Sequence, residues 1–438
     1  MYKPVNIIKV YCWGEYVGAL ALDQGSGYYA FEYDPRFRAR GVELAPLALP
    51  LREPEQQVFT HLPEKTYYRL PPFIADSLPD NFGNSLVNAW MATQGIAPGA
   101  ITALDRLAYT GSRGMGALEY VPAIREVNKA RPNALEMNEL VNEARRAVEV
   151  GLATRDAHES DTYLAQLIGV GTSAGGARAK AVVGFDPLTE KFVSGQFDVP
   201  PGYQHWIIKF DVSSTTPGDL GGSREYGRIE YAYYLMARDC GITMEQSRLY
   251  EAGGRAHFMT RRFDRGEHNE RHHIQTLCAM AQLDFNQLHT HDYAQLFMTA
   301  AELNLPLATH DEIFRRMAFN VACANNDDHT KNHSFRLKRN SIWELSPAYD
   351  ITHAHGVDPD SWTRQHSIGV GGVFSDITRE DVLALAQRYS VRNPKGLLDS
   401  VLAIVDNWAQ YARESGLSAY EKDRVGSDIR HCSALLRK

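Results

Sequence analysis

Hydrophobic and polar positions alternate in short runs near the start of the chain and recur at helical spacing toward its end. Ile7 to Tyr11, Glu15 to Leu20 and Tyr28 to Tyr33 are aromatic and β-branched runs broken by Gly and Asp, which predicts an antiparallel β-rich unit. Proline-marked turns between Pro46 and Pro72 lead to Asp76-Ser77-Leu78-Pro79-Asp80, after which Phe82, Leu86, Val87 and Trp90 predict a helix over Asn81 to Met91. A polar stretch near Arg125 to Asn133 marks a boundary, and Ala134 to Val150 reads as a helix. Ala181 to Phe185, Lys191 to Val193 and His205 to Phe210 then read as strands, with Asp186-Pro187 turning the first pair. From Arg224 to Cys240, Ile229, Ala232, Tyr233, Met236, Ala237 and Cys240 form an apolar helical stripe that ends at Gly241. Beyond Phe263 the pattern is mostly helical, with windows at Asp292 to Leu303, His310 to Ala324, Arg379 to Tyr389 and Gly396 to Arg413. The expected class is α+β. Three segments follow: a β-rich unit over 1–125, a sheet with one helix over 126–262, and a helical part over 263–438.

Composition narrows the class without naming a reaction. At 438 residues, 44% hydrophobic and 23% charged, the chain is long enough for two or three cores and near globular averages. A formal net charge of −7 argues against a broad basic footprint for nucleic acid. Cys12, Cys240, Cys278, Cys323 and Cys432 are scattered without a C-x-x-C pair, which fits a reduced, cytoplasmic setting. No segment reaches the roughly 18 uninterrupted apolar residues of a membrane helix, so no membrane association is expected.

The candidate chemistry sits in Asn326-Asp327-Asp328-His329-Thr330-Lys331-Asn332-His333 and in Tyr349-Asp350-Ile351. Asp327 and Asn332 have the D-x-x-x-x-N separation of a kinase catalytic loop, and Asp350 follows where a second metal-holding acid belongs. Phosphoryl transfer asks for little else from a protein: a carboxylate for a hydroxyl proton, oxygen ligands for Mg²⁺, and cations for the phosphates of ATP. Gly169 to Lys180 is a glycine-rich loop before a strand, able to bring backbone N–H groups to phosphate oxygens, although most glycine clusters are turns. Lys209 closes an apolar strand, as either a cleft cation or a solubilising end. Glu230 on the next helix is either its partner or a solvated carboxylate. Phe263, in Met259 to Arg265, can pack an adenine ring or plain core. His329 and His333 are four apart, but no Glu intervenes and a turn signal precedes them, which fits zinc poorly. His268, His272, His273, His289, His291, His353 and His355 read as surface or loop residues. No G-x-S-x-G elbow supports a serine hydrolase.

Six segments in order carry a family resemblance: the loop ending A-R-A-K, the strand W-I-I-K, the helix I-E-Y-A-Y-Y-L-M-A-R-D-C-G-I, R-R-F-D-R, N-D-D-H-T-K-N-H and L-S-P-A-Y-D-I. Together they resemble the HipA family of serine/threonine kinase toxins, and the N-terminal β-rich segment is similar to the small domain preceding the kinase core there. The resemblance implies a bilobal kinase fold, its β-containing small lobe followed by a helical large lobe. It makes Asp327 the catalytic base, Asn332 and Asp350 the Mg²⁺ ligands, and Lys209 the cation on the ATP phosphates. Ser173, Gly175, Gly176, Ala177 and Lys180 would form the phosphate loop, Arg262 and Phe263 the adenine hinge, and His329 and Lys331 would complete the nucleotide site, with Glu230 in support. Ser173 matches the serine that members autophosphorylate, and two added charges there would expel the loop from the ATP site. An added residue in the loop allows that match to slip to Thr172. Arg261 stands in place of an acidic hinge residue, and Asp328 in place of a glycine. The implied partners are a HipB-like helix-turn-helix antitoxin, which would carry the operator DNA contacts, and a translation-related protein substrate such as a tRNA synthetase. Two other readings remain: a catalytically weak corepressor acting with an antitoxin, and a small-molecule phosphotransferase.

Overall fold

In the computed structural model, the described residues are 4–52, 57–124, 135, 137, 140, 141, 179–211, 225–356 and 361–438. The expected boundary over Arg125 to Asn133, most of the helix over Ala134 to Val150, and the glycine-rich loop with Thr172, Ser173, Gly175, Gly176 and Ala177 lie outside them. The chain forms two compact units, one of Met1–Val212, Met259–Gln275 and Arg336–Ile342, the other of Ser213–Phe258, Thr276–Phe335 and Trp343–Lys438.

The first unit opens with the expected antiparallel sheet. Strands β1 (Ile7–Cys12), β2 (Glu15–Leu22), β3 (Tyr29–Tyr33) and β4 (Leu118–Val121) lie in the order β3-β2-β1-β4. Ile8, Val10 and Cys12 point into the core while Ile7 and Lys9 are exposed, the period of two that a one-sided sheet requires. Trp13 and Gly14, both at positive φ, make the two-residue turn that joins β1 to β2. At Gly18 a Cβ would strike the Glu32 carbonyl oxygen, so only glycine lets β3 pair there.

Helices α1 (Asn81–Thr93) and α2 (Ala103–Thr110) lie in this unit, with Trp90 and Tyr109 rings 5.9 Å apart. Asp80 caps α1 by accepting from Gly83 N–H. Thr102 and Asp105 form a capping box on α2, and Asp105 also accepts from Val5 N–H.

A second sheet contains β5 (Lys180–Phe185), β6 (Phe192–Ser194) and β7 (Gln204–Lys209), with β5 buried along its whole length and Lys180 opposite Lys209 in register. Like charges facing across strands are unfavourable. Here Asp80 offsets the effect, its Oδ2 lying 2.8 Å from Lys180 Nζ in a buried ion pair.

The second unit begins with α3 (Tyr226–Asp239) and β8 (Ser247–Ala252), and the chain passes back to the first unit along β9 (Arg255–Arg261). Helices α4 (Tyr293–Glu302), α5 (Ala308–Ala322) and α6 (Arg379–Arg388) match three expected windows. The fourth window splits into α7 (Pro394–Val405) and α8 (Trp408–Glu414), because Asp406 and Asn407 close the first helix. Helix α9 (Ala419–Leu435) was not among the windows. Its buried side is only Glu421, Val425, Gly426, Ile429 and Ser433, too polar for an apolar stripe. Tyr233 of α3 anchors this core, edge-on to Phe319 and Trp408 while its hydroxyl donates to Cys323 O at 2.5 Å. No helix among the described residues is long and apolar enough to cross a membrane.

Because Asp105 holds both the α2 cap and the incoming backbone at Val5, Asp105→Ala is expected to cost about 1–2 kcal/mol. The urea midpoint reports this. An unchanged midpoint would mean the cap contributes nothing.

Candidate active site

The loop that leaves α5 is tied down at both ends before it presents any chemistry. Ala354 donates to Ala324 O at 3.1 Å, and Asn326 donates back to Ala354 O at 3.0 Å. Thr330–Asn332 is a 3₁₀ turn, pinned by the Thr330 hydroxyl on Leu283 O at 2.7 Å. Asn332 reaches back across this turn, its Nδ2 donating to Asp327 O at 2.6 Å. The five-residue spacing thus closes on itself, and the amide nitrogen, once engaged, leaves Oδ1 as the outward acceptor.

Asp327 is half-buried, with His329 Nε2 3.4 Å from its Oδ1. Lys331 lies with Nζ 4.5 Å from the centre of the Phe285 ring, and its carbonyl accepts from Tyr349 OH at 2.7 Å. The next residue, Asp350, holds a φ of +53°, a left-handed conformation that costs a side-chain-bearing residue on the order of 1 kcal/mol.

A small cleft is lined by Asn332, Asp350, Asp328 and Arg316, among others. Arg316 is spent within it: Nε and NH2 donate to Glu312 at 2.9 and 2.8 Å and NH2 to Ser346 O at 2.9 Å, so the Asp328 and Asp350 carboxylates and the side-chain amides of Asn320, Asn325 and Asn332 set the polarity. Oxygen donors of this kind suit a hard divalent cation such as Mg²⁺.

Asp328, which in the sequence only stands in place of a glycine, is the most heavily bonded group of the loop. Its buried Oδ2 accepts from Tyr293 OH at 2.8 Å and lies 3.0 Å from His366 Nδ1, while Oδ1 accepts from Ser367 N–H at 2.9 Å. Burial, with the Asp328 charge adding to it, pushes the Tyr293 hydroxyl well up. These partners lie 35 to 39 residues away, so no local pattern pointed to them.

Asp327, His329, Lys331, Asn332 and Asp350 share the second unit with Glu230, which is buried on α3 rather than a solvated carboxylate. Lys180, Lys209, Arg262 and Phe263 belong to the first unit. The Arg262 side chain lies inside the protein, Nε and NH2 donating to Asp264 at 2.8 and 2.7 Å. Burial raises the Asp264 pKa, but the Arg262 and Arg265 guanidiniums outweigh it and hold the carboxyl well below the usual range. Four histidines expected at the surface or in loops, His272, His273, His291 and His353, are buried. His353 lies 2.9 Å from Asp428, and His273 lies 2.9 Å from Leu44 O, long-range partners that compensate burial.

Comparisons with known proteins give the family and the fold. A family model described as the HipA N-terminal domain matches residues 8–121, and one described as the HipA-like C-terminal domain matches 172–414, more than half the chain. The chain belongs to the HipA-like family.

Among solved structures, HipA in the complex of the Shewanella oneidensis MR-1 toxin-antitoxin system HipA, HipB and operator DNA has a TM-score of 0.69 at 17% identity, covering 98% of this chain and 96% of that one. That likeness establishes the fold. The Helicobacter pylori proinflammatory kinase CtkA matches 53% of this chain and 88% of its own at 10% identity, with a TM-score of 0.36. Comparison with curated proteins gives no match.

His333, fully buried against the Tyr293 ring, has its pKa pushed down to about 4 by burial. In the unfolded chain it titrates near 6.5, so on acidification the unfolded state takes the proton first. The stability linked to His333 is complete above about pH 6.5 and declines toward pH 4. Urea midpoints measured across that window should fall less steeply in His333→Gln than in wild type; parallel curves would show that His333 does not carry the effect.

Proposed function

We propose that the chain is an ATP-dependent serine/threonine protein kinase of HipA type, the toxin of a toxin-antitoxin pair. The observation that carries this is the Asn332 amide closed onto Asp327 O at 2.6 Å, beside a cleft that both Asn332 and Asp350 line. It braces in one loop the carboxylate that this reading makes the base and the amide that it makes a metal ligand. Asn332 Oδ1 and the Asp350 carboxylate would hold Mg²⁺, which when bound would neutralise charge on the phosphates.

The Asp327 carboxylate takes the proton of the acceptor hydroxyl as its oxygen bonds to the γ-phosphorus, and the bond to the β–γ bridging oxygen breaks to leave ADP. Lys209 stands at the end of a buried strand, the placement expected of a cation for the phosphates, with Lys180 opposite it in register. Ser173, with Gly175, Gly176 and Ala177, would supply the phosphate loop, and a phosphoryl group on Ser173 would turn the enzyme off by repelling it.

The HipA neighbour crystallised with HipB and operator DNA supports a helix-turn-helix antitoxin as partner of this chain, which would reach DNA through it. A net charge of −7 agrees with DNA contacts made by the partner. The acceptor would be a translation-related protein.

Labelled ATP with Mg²⁺ tests the assignment. Wild type should transfer label to itself or to a lysate protein, and Asp327→Ala should transfer at least about 100-fold less while still binding ATP. Equal transfer by both proteins would remove Asp327 from the chemistry; silence from both with ATP bound would leave a corepressor.

A further inference from the structure

Beside the catalytic loop lies a second, larger cavity, about 570 Å³, that nothing above uses. That size is within the roughly 300–1,000 Å³ of ligand pockets. Its walls come from the end of α5, from α9, and from the segments around His355, Arg364 and Phe374.

The catalytic loop divides this cavity from the small cleft residue by residue. Asn326 lines the large cavity, Asp328 lines the small cleft, and Asp327 lies between them in the chain. Both flanks are braced. Asn326 Nδ2 donates to Thr363 O at 2.8 Å and lies 3.2 Å from His355 Nδ1, while Asp328 is held by Tyr293, His366 and Ser367.

In-line phosphoryl transfer needs the attacking and leaving oxygens on opposite sides of the phosphorus, with the base next to the attacking one. The oxygen donors Asn332 and Asp350 assign the small cleft, about 10 Å³, to the metal ion, which leaves the large cavity to the acceptor.

Its lining offers donors beside one carboxylate, Asp376, which lies 4.0 Å from His431. The Asn326 amide makes His355 Nδ1 an acceptor, so the ring proton sits on Nε2, and burial, with the Asp428 charge working against it, lowers the pKa and favours the neutral ring. Arg364 is exposed at the rim and its guanidinium has no partner among the described residues. Val321, Ile377 and Leu435 supply an apolar wall.

The geometry points to this cavity as the acceptor site, taking a polypeptide segment that carries the target serine or threonine beside an apolar residue and carbonyl or carboxylate oxygens. This rests on the kinase reading above.

The test uses the full chain, ATP with Mg²⁺, and a library of serine and threonine peptides with randomised flanks. Ser375→Trp and Arg364→Glu both alter exposed rim positions, so folding is not at stake, and a thermal melt confirms it. The inference expects wild type to label peptides with an apolar flanking residue preferred, and both variants to label them at least tenfold less with ATP affinity unchanged. Undiminished labelling by the variants overturns it. So does loss of ATP binding in the variants, which would make the cavity a nucleotide site, and so does a wild type that binds ATP and labels itself but no peptide. A wild type that binds no ATP overturns the kinase reading instead.

Discussion

The Asp328 carboxylate is the constraint on which the candidate site depends. It is fully buried, and no lysine or arginine pairs with it among the described residues. Instead it is held by a tyrosine hydroxyl, a backbone N–H and an imidazole. A buried anion is tolerated only when such donors surround it. The segments that supply them, α4 and the stretch at His366 to Ser367, are therefore fastened to the loop between Asn326 and Asn332. Asn332 then lines the cleft, and Asp327 is held by it, on a backbone with little freedom, and preorganisation of that kind is what phosphoryl transfer asks of a protein.

Around this centre the charges are arranged so that few are left unbalanced inside. Glu312 neutralises Arg316 at the cleft, Asp428 faces His353, and Asp311 holds Arg392 through two hydrogen bonds of 2.9 and 2.6 Å. In the first unit Asp264 lies between Arg262 and Arg265, and its Oδ2 also accepts from Gly116 N–H at 2.7 Å. Asp80 performs two tasks, capping α1 with one oxygen and pairing Lys180 with the other. The pairs Asp311 with Arg392, Asp428 with His353 and Asp80 with Lys180 join residues far apart in sequence, so they specify tertiary arrangement more than they add stability.

The HipA-like fold sets where chemistry can occur, but the residues decide which chemistry. The oxygen donors of the loop and the Asp327 carboxylate are what the proposed phosphoryl transfer rests on. The cavity beyond Asn326 is the place this reading proposes for an acceptor.

Much of this was legible in the chain. Strand and helix periods depend on neighbours within a few residues, so β1 to β3, β5 to β7, α1, α3, α4 and α5 were found from alternation and spacing, as was the loop with Asp327, Asn332 and Asp350. Helix α9 escaped because its buried side is polar, and the fourth window broke at Asp406 because capping, not periodicity, ends a helix. The sequence by itself determined most of the elements, the family and the candidate loop, all of which are local patterns. Only the tertiary structure decided that Asp328 is the anchor, that Glu230 and four of the histidines are buried, and that Lys180 faces Asp80. Those facts depend on partners brought together from tens to more than two hundred residues away, and the free energy of burying a polar group is set by such partners.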